Sequence, residues 1–137
     1  ELEKSANLYQ QFLLQNGPDA EAAFNLGNVF YGLERFPEGL QRYLQALELD
    51  PHFVEAWNNL GSTYAILSNH QQAIDCYQKA LEIAPDYADV YYNIAESYIS
   101  SGEVEAAKPY AQKYFGFDAH SEWSLRLKEL IANASIV

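Results

Sequence analysis

Apolar positions recur every three or four residues along most of this chain, which is the spacing that buries one face of a helix. The pattern is clearest between Val54 and Pro85, where two such stripes follow each other. The first stripe contains Trp57, Leu60, Gly61, Tyr64 and Leu67, and the second contains Ala73, Ile74, Tyr77, Ala80 and Leu81. The pattern predicts two amphipathic helices, with small residues where the backbones approach closely and aromatic rings in the wider gaps.

The same pattern returns 34 positions earlier and 34 positions later. The earlier copy contains Leu26, Gly27, Phe30, Tyr43, Ala46 and Pro51. The later copy keeps its first helix, through Tyr91, Ile94, Ala95 and Tyr98, but its second helix diverges. Pro109 lies inside that second helix, where we expect it to remove a backbone hydrogen bond and produce a kink.

The stretch from Val54 to Pro85 resembles the tetratricopeptide repeat, whose unit has about 34 residues. Trp57, Leu60-Gly61, Tyr64, Ala73, Ala80 and Pro85 match the family's motif, and Tyr77 stands where the motif has Phe. The resemblance implies an all-α fold, a right-handed α-solenoid of helix-turn-helix tetratricopeptide repeats, as one domain over residues 1–137. The expected units are a helix or half repeat over 1–16, repeats over 20–53, 54–87 and 88–120, the last of them divergent, and a C-terminal capping helix over 121–135.

Residues that typically start or end helices predict the structure near both ends of the chain. Residues 1–16 form either the second half of an upstream repeat or a capping helix, and the sequence leaves both open. Gly17 is expected to end this helix, Asp19 to cap the next one and Ser121 to cap the last one. The stripe expected to cover the end of the stack contains Trp123, Leu127, Leu130 and Ala134. Because the chain begins without Met and inside a helical pattern, we expect it to be a piece of a longer or processed protein.

The formal charge is -11, from 19 acidic and 8 basic residues. Such a chain is expected to repel nucleic-acid phosphates and anionic membranes, so neither is an expected direct partner. No apolar run approaches the ~20 residues of a membrane span, and no signal-peptide pattern opens the chain. We therefore expect a cytoplasmic location.

The Cys and His residues, which are catalytic or bind metals in many proteins, are dispersed along this sequence. The single Cys76 has no His and carboxylate at a motif spacing, so a packing thiol is expected rather than a nucleophile. His52, His70 and His120 fall at predicted turns without a partner at metal-ligand spacing and are expected at the surface. The sequence therefore predicts no enzyme activity, no cofactor and no metal site.

The resemblance also implies a site, because in that family the first helix of each repeat lines a concave groove. The family's groove positions, carried over to this sequence, are Glu21, Phe24, Asn25, Asn28, Tyr31, Glu55, Asn58, Asn59, Ser62, Tyr92, Asn93 and Glu96. Their spacing places them on one side of each helix, opposite Leu26, Leu60 and Ile94. We expect these residues to form a peptide-binding groove.

Asn25, Asn59 and Asn93 recur at the same place in successive repeats and look like the asparagine ladder of some family members. An amide carries donors and an acceptor, so a row of amides suits the backbone of an extended peptide of any sequence. The alternative is that Asn is simply a common residue at this repeat position, and the sequence leaves both open.

Acidic residues line the same side, and no Lys or Arg is expected there. They are Glu21, Glu55, Asp89 and Glu96. This charge favours basic or neutral ligands, although the first three acids also stabilise helix N-termini. Some family members clamp the acidic tail of heat-shock chaperones with two Lys, two Asn and an Arg. Here the Asn positions hold Asn28 and Asn59, but the basic positions hold Phe24, Asp89 and Asn93, so that activity is not expected.

The leading hypothesis is a non-catalytic protein–protein interaction module that binds an extended neutral or basic peptide. One alternative is a structural scaffold that self-associates through its ends or through exposed aromatic residues such as Tyr31 and Tyr92. Another is a regulatory or docking arm of a larger enzyme or transcription regulator.

Overall fold

Eight α-helices and no strand make up the part of the chain that the computed structural model describes, residues 1–135. The helices are α1 (Leu2–Asn16), α2 (Ala20–Gly32), α3 (Phe36–Leu49), α4 (Val54–Ile66), α5 (His70–Ile83), α6 (Ala88–Ser100), α7 (Val104–Phe117) and α8 (Glu122–Ala134). The helices α2, α4 and α6 begin at residues 20, 54 and 88, and α3, α5 and α7 begin at 36, 70 and 104. Successive hairpins therefore follow each other at one constant interval, and the predicted all-α solenoid is confirmed.

The helices pack as successive hairpins, α2 with α3, α4 with α5 and α6 with α7. Neighbouring hairpins contact each other through α3 and α4 and through α5 and α6. In addition α2 contacts α4 and α4 contacts α6, whereas within residues 1–135 α3 does not contact α5 and α5 does not contact α7. The first helices of the hairpins are therefore closer together, which places α2, α4 and α6 on the inner, concave side. We call this surface the groove.

In the first two hairpins a glycine of the first helix lies against a buried tyrosine ring of the second. The pairs are Gly27 with Tyr43 and Gly61 with Tyr77, where an added Cβ would lie 2.7 and 2.6 Å from the ring. The third hairpin has Ala95 and Ala111 at the corresponding positions, and both belong to one buried cluster. In the third hairpin the first helix therefore carries an extra methyl group, and the second helix carries Ala in place of Tyr. The smaller side chain makes room for the methyl group without a clash.

Three helix ends have the caps that the sequence predicts. Asp19 Oδ1 accepts a hydrogen bond from the backbone N–H of Ala22 at 2.8 Å at the start of α2. Ser121 Oγ accepts one from the N–H of Ser124 at 3.1 Å at the start of α8. Gly17 ends α1 with a φ of 84°. These predictions are confirmed.

The turn inside each hairpin contains one residue in the left-handed region. These residues are Glu34, Ser68 and Gly102, with φ of 59°, 64° and 84°. The residue after each of them donates its N–H at 2.8 Å to a carbonyl of the preceding helix, which closes the turn. Only Gly102 adopts this conformation without a Cβ penalty.

The terminal helices continue the same spacing. The helix α1 begins at residue 2 and α3 at residue 36, while α6 begins at residue 88 and α8 at residue 122. The helix α8 packs on α6 and α7 through Leu127 and Ser124, which are buried, and through Ile131.

The orientation of α8 differs from the prediction. Trp123 is 56% exposed, so the prediction that it belongs to the stripe that covers the stack is wrong. The buried stripe follows Ser124 instead, so α8 is rotated from the expected orientation and Trp123 lies at the end of the groove.

Candidate functional site

Three pockets lie along the groove, and α4 contributes to all of them. The N-terminal pocket, of about 540 Å³, contains Glu21, Phe24, Asn25 and Glu55. The middle pocket, of about 320 Å³, contains Asn28, Tyr31, Asn59 and Ser62. The C-terminal pocket, of about 480 Å³, contains Asn58, Tyr92, Asn93 and Glu96. The fold thus distributes the twelve residues that the sequence singles out over three adjoining pockets, four in each.

Aromatic rings and carboxylates form the N-terminal pocket. The side chain of Phe24 is half-buried, and its ring centroid lies 4.6 Å from that of Phe53 and 5.9 Å from that of Tyr43. Phe24 therefore supplies an apolar floor. The surrounding carboxylates belong to Asp19, Glu21, Asp50 and Glu55. Glu21 and Glu55 are exposed and face solvent in the first turns of α2 and α4.

A hydrogen-bond network joins two hairpins in the middle pocket. The buried hydroxyl of Tyr43 donates to Asn28 Oδ1 at 2.5 Å, and Asn59 Nδ2 donates to the same oxygen at 2.9 Å. In the next hairpin the Tyr77 hydroxyl lies 3.2 Å from Ser62 Oγ. Burial raises the pKa of Tyr43 and the pKa of Tyr77, so both hydroxyls keep their protons at neutral pH.

The asparagine row is linked from one first helix to the next. Asn93 Nδ2 donates to Asn58 Oδ1 at 2.9 Å, just as Asn59 Nδ2 donates to Asn28 Oδ1 at 2.9 Å. Asn25, Asn59 and Asn93 lie one in each pocket. An amide has two N–H donors and an acceptor oxygen, so Asn59 and Asn93 keep hydrogen-bonding capacity beyond these contacts.

Tyr92 is the one buried side chain among the twelve, with 7% exposed, so the expectation that it is an exposed aromatic residue is wrong. Its ring packs edge-on against Tyr114 at 5.4 Å and against Trp123 at 5.6 Å between centroids. Its hydroxyl is buried and has no hydrogen-bond partner among residues 1–135. A buried polar group without a partner is unfavourable by about 1–3 kcal/mol. The hydroxyl of Tyr92 therefore keeps unused hydrogen-bonding capacity beside the C-terminal pocket.

The C-terminal pocket contains one cation, Arg126 of α8, whose Nη2 lies 3.5 Å from Glu96 Oε2. The predicted groove positions on α2, α4 and α6 contain no Lys or Arg, so this cation comes from a helix outside them. Asp89 also lines the pocket and is exposed. Carboxylates still outnumber cations here, two to one.

Trp123 and Arg126 are the groove residues that the sequence reasoning missed. The repeat spacing could have identified them, because α8 follows α6 at the same interval of 34 residues that separates α6 from α4. Trp123 stands 34 positions after Asp89, and Arg126 stands 34 positions after Tyr92. Extending the groove positions by one more unit finds both.

The groups that could support other chemistry are buried or dispersed. Cys76 is 6% exposed, and burial raises the pKa of its thiol to about 12, which leaves little thiolate at neutral pH. Within residues 1–135 there is no group of three His, Cys, Asp or Glu that could hold a metal ion. His52 and His120 are exposed as predicted, and His70 is partly exposed, with its Nδ1 buried. None of the described helices is both long and apolar enough to span a membrane.

Family models described as a tetratricopeptide repeat or TPR repeat match the chain in four overlapping segments. The segments are residues 1–38, 27–68, 54–87 and 76–108. Together they cover residues 1–108, which is well over half of the chain. Among curated proteins, no sequence matches this one.

Solved structures share this arrangement of helices. A crystal structure of MamA superposes with a TM-score of 0.90 at 24% sequence identity and covers 97% of this chain and 76% of that one. A second MamA crystal structure gives a TM-score of 0.81 at 23% identity and covers 84% of this chain and 63% of that one. This chain thus spans less than two thirds of the length of that MamA chain. The first TPR of Spaghetti (RPAP3), bound to the HSP90 peptide SRMEEVD, gives a TM-score of 0.81 at 17% identity and covers 86% of this chain and 94% of that one.

Proposed function

Because the chain belongs to the tetratricopeptide repeat family, we propose that it is a non-catalytic protein–protein interaction module that holds an extended, neutral or basic peptide segment in its groove. In this proposal the repeats span 20–53, 54–87 and 88–120, with a helical segment at 1–16 and another at 121–135. The observation that carries the proposal is the line of three pockets along α2, α4 and α6, each with one member of the asparagine row.

The spacing of the helices favours an extended ligand. Packed helices lie about 8–10 Å apart, and an extended chain advances about 3.3 Å per residue. Roughly three residues of ligand therefore span the distance between neighbouring first helices, and about six residues span the groove from α2 to α6. Amides at Asn59 and Asn93 would then bind the ligand backbone at intervals of one repeat, without reading its side chains.

The charge of the groove favours a neutral or basic ligand. Four carboxylates line the N-terminal pocket and two line the C-terminal pocket, whereas Arg126 is the one cation lining any of the three. An acidic ligand would have to approach these carboxylates against their repulsion.

The peptide SRMEEVD, which is bound to RPAP3 in the matching structure, therefore serves as a negative control. In this chain Phe24, Asp89 and Asn93 occupy the places where chaperone-binding family members carry basic residues. We expect this acidic peptide to bind much more weakly than basic peptides of the same length.

The test is a peptide-array screen with basic, neutral and acidic versions of the same extended sequences, followed by fluorescence anisotropy of the best binders. Asn59→Ala and Asn93→Ala should each weaken binding by about 2- to 10-fold, because a neutral hydrogen bond contributes about 0.5–1.5 kcal/mol. Asn7→Ala, on the exposed side of α1, is the matched control and should leave affinity unchanged. Circular dichroism confirms that the variants fold. Unchanged affinity in both groove variants, or tighter binding of the acidic versions, contradicts the proposal.

A self-associating scaffold is the second candidate function, and the exposed apolar side chains of α1 favour it. Leu14 is 86% exposed, Leu8 63% and Phe12 43%. Sedimentation velocity over a range of concentrations distinguishes the two functions, because a monomer at high concentration contradicts the scaffold and leaves the peptide groove untouched. A docking arm of a larger enzyme or transcription regulator would use the same groove, with a ligand segment from that assembly.

A further inference from the structure

The C-terminal pocket combines three features at one place, between α6 and α8. The carboxylates of Asp89 and Glu96 line it, and the half-exposed indole of Trp123 forms one side. The side chain of Tyr92 is more than nine-tenths buried there, and its hydroxyl has no hydrogen-bond partner among residues 1–135. The hydroxyl of Tyr114, in contrast, contacts Asp118 Oδ2 at 3.4 Å. The pocket therefore offers two anionic acceptors and an aromatic surface, and an unsatisfied hydroxyl is buried beside them.

We propose that this pocket binds an arginine side chain of the partner's extended segment, a specificity that rests on the function proposed above. A guanidinium has five N–H donors in a planar fork, so one group can donate to a carboxylate and to the Tyr92 hydroxyl oxygen together. Its flat face stacks on aromatic rings, and Trp is the strongest of these partners. A lysine ammonium is compact and strongly hydrated, so it satisfies fewer of these groups at once.

The chain's own Arg126 shows that a guanidinium can approach this pocket. Its Nη2 lies 3.5 Å from Glu96 Oε2, and the two side chains are 57% and 40% exposed. A long, exposed ion pair of this kind contributes little, so a ligand can displace Arg126 from Glu96. With Asp89, Glu96 and Arg126 facing the pocket, one negative charge is left without a counter-charge. A guanidinium from the ligand supplies the missing positive charge.

The test uses N-acetyl-L-arginine amide as the probe and heteronuclear NMR as the readout. The chain has 2 Trp residues, so its spectrum contains two indole N–H signals. The Trp57 indole donates to the Pro51 carbonyl at 2.8 Å, outside the pocket, and is the internal control. The Trp123 signal should shift to saturation while the Trp57 signal stays in place. N-acetyl-L-citrulline amide, which has nearly the same shape without the charge, should bind at least about 10-fold more weakly.

Three variants assign the contacts. Tyr92→Phe removes only the hydroxyl and should weaken the probe about 3- to 10-fold, while Tyr98→Phe in the same helix should leave it unchanged. Glu96→Gln should weaken it at least about 10-fold. Arg126→Gln should tighten it several-fold, because it removes the internal competitor. A purely structural role of Arg126 would not tighten binding.

The opposite results overturn the proposal. N-acetyl-L-glutamate amide shifting Trp123 more strongly than the arginine probe would identify an anion site instead. Arg126→Gln weakening the arginine probe would contradict the role of Arg126 as a competitor for Glu96. Equal binding of the arginine and citrulline probes would show that the positive charge of the guanidinium does not contribute to binding. The outcomes also separate the two proposals, because probe binding without any peptide binding rejects only the groove function. Peptides that bind the groove equally well with arginine or citrulline reject only the arginine pocket.

Discussion

Replacing Gly61 with Ala tests the interlock between paired helices. The new Cβ would lie 2.6 Å from Cε1 of Tyr77. Carbon atoms in contact are about 3.5–4.0 Å apart, so the ring would have to retreat by about 1 Å. Tyr77 is 2% exposed and has little room to do so. Overpacking of this kind destabilises by about 1–3 kcal/mol, whereas Ala is favoured over Gly in a helix by about 1 kcal/mol. We expect a net loss of up to about 2 kcal/mol in the free energy of unfolding.

The third hairpin shows how this loss can be removed, because Ala95 and Ala111 replace the glycine and the tyrosine there. Tyr77→Ala alone should destabilise by about 3–5 kcal/mol through the cavity it leaves. In the Tyr77→Ala background the clash is gone, so Gly61→Ala should stabilise by about 1 kcal/mol. The two substitutions should therefore be coupled by about 1–3 kcal/mol.

The assay is urea unfolding of the wild type, both single variants and the double variant, followed by circular dichroism. Ala95→Gly in the third hairpin is the matched control. It should destabilise by about 1 kcal/mol or more, because it loses helix propensity and a buried methyl group without relieving a clash. Gly61→Ala having the same effect in both backgrounds, to within about 0.5 kcal/mol, would refute the reasoning.

Two further predictions concern a turn and a thiol. Gly102→Ala should destabilise by about 1–2 kcal/mol in urea unfolding through backbone strain alone, since φ is +84° and nothing lies within 4 Å of the new Cβ. Gly116 is the control, because nothing lies within 4 Å of its added Cβ either, but it lies within helix α7. Gly116→Ala should leave stability unchanged or raise it by up to about 1 kcal/mol. An equal loss of stability in the two variants would contradict the strain argument. Cys76 should react with a thiol reagent at pH ~8 about a thousandfold more slowly in the folded protein than in urea, because burial raises its pKa to about 12. Rapid labelling of the folded protein would contradict its place in the core.

The helices could be predicted from the sequence because the repeat is a local pattern. Apolar spacing, glycines at close approaches and prolines at boundaries recur once per repeat, and the observed helices begin at the same interval. The orientation of α8 was predicted wrongly because Trp123, Leu127 and Leu130 also form a helical stripe. The buried hydroxyl of Ser124 donates to the Asp118 carbonyl, which satisfies it in the interface and leaves Trp123 at the groove.

The side of each helix that faces the groove could be predicted, but the contacts between side chains could not. Asn59 and Asn93 fall where the repeat places them, yet their acceptors, Asn28 and Asn58, occupy different positions in their own repeats. These bonds depend on rotamers across two helices, which a single helical pattern does not contain. The burial of Tyr92 depends in the same way on Trp123 from another element.

The most direct test of the proposed groove is the NMR map of a bound basic peptide from the array screen. The peptide should shift the side-chain amide signals of Asn25, Asn59 and Asn93 together with backbone signals of α2, α4 and α6. Signals of the exposed residues of α3 and α5 should remain in place, because these helices lie on the outer side of the stack. Shifts concentrated on the outer helices, with the three asparagine signals unmoved, would contradict the account.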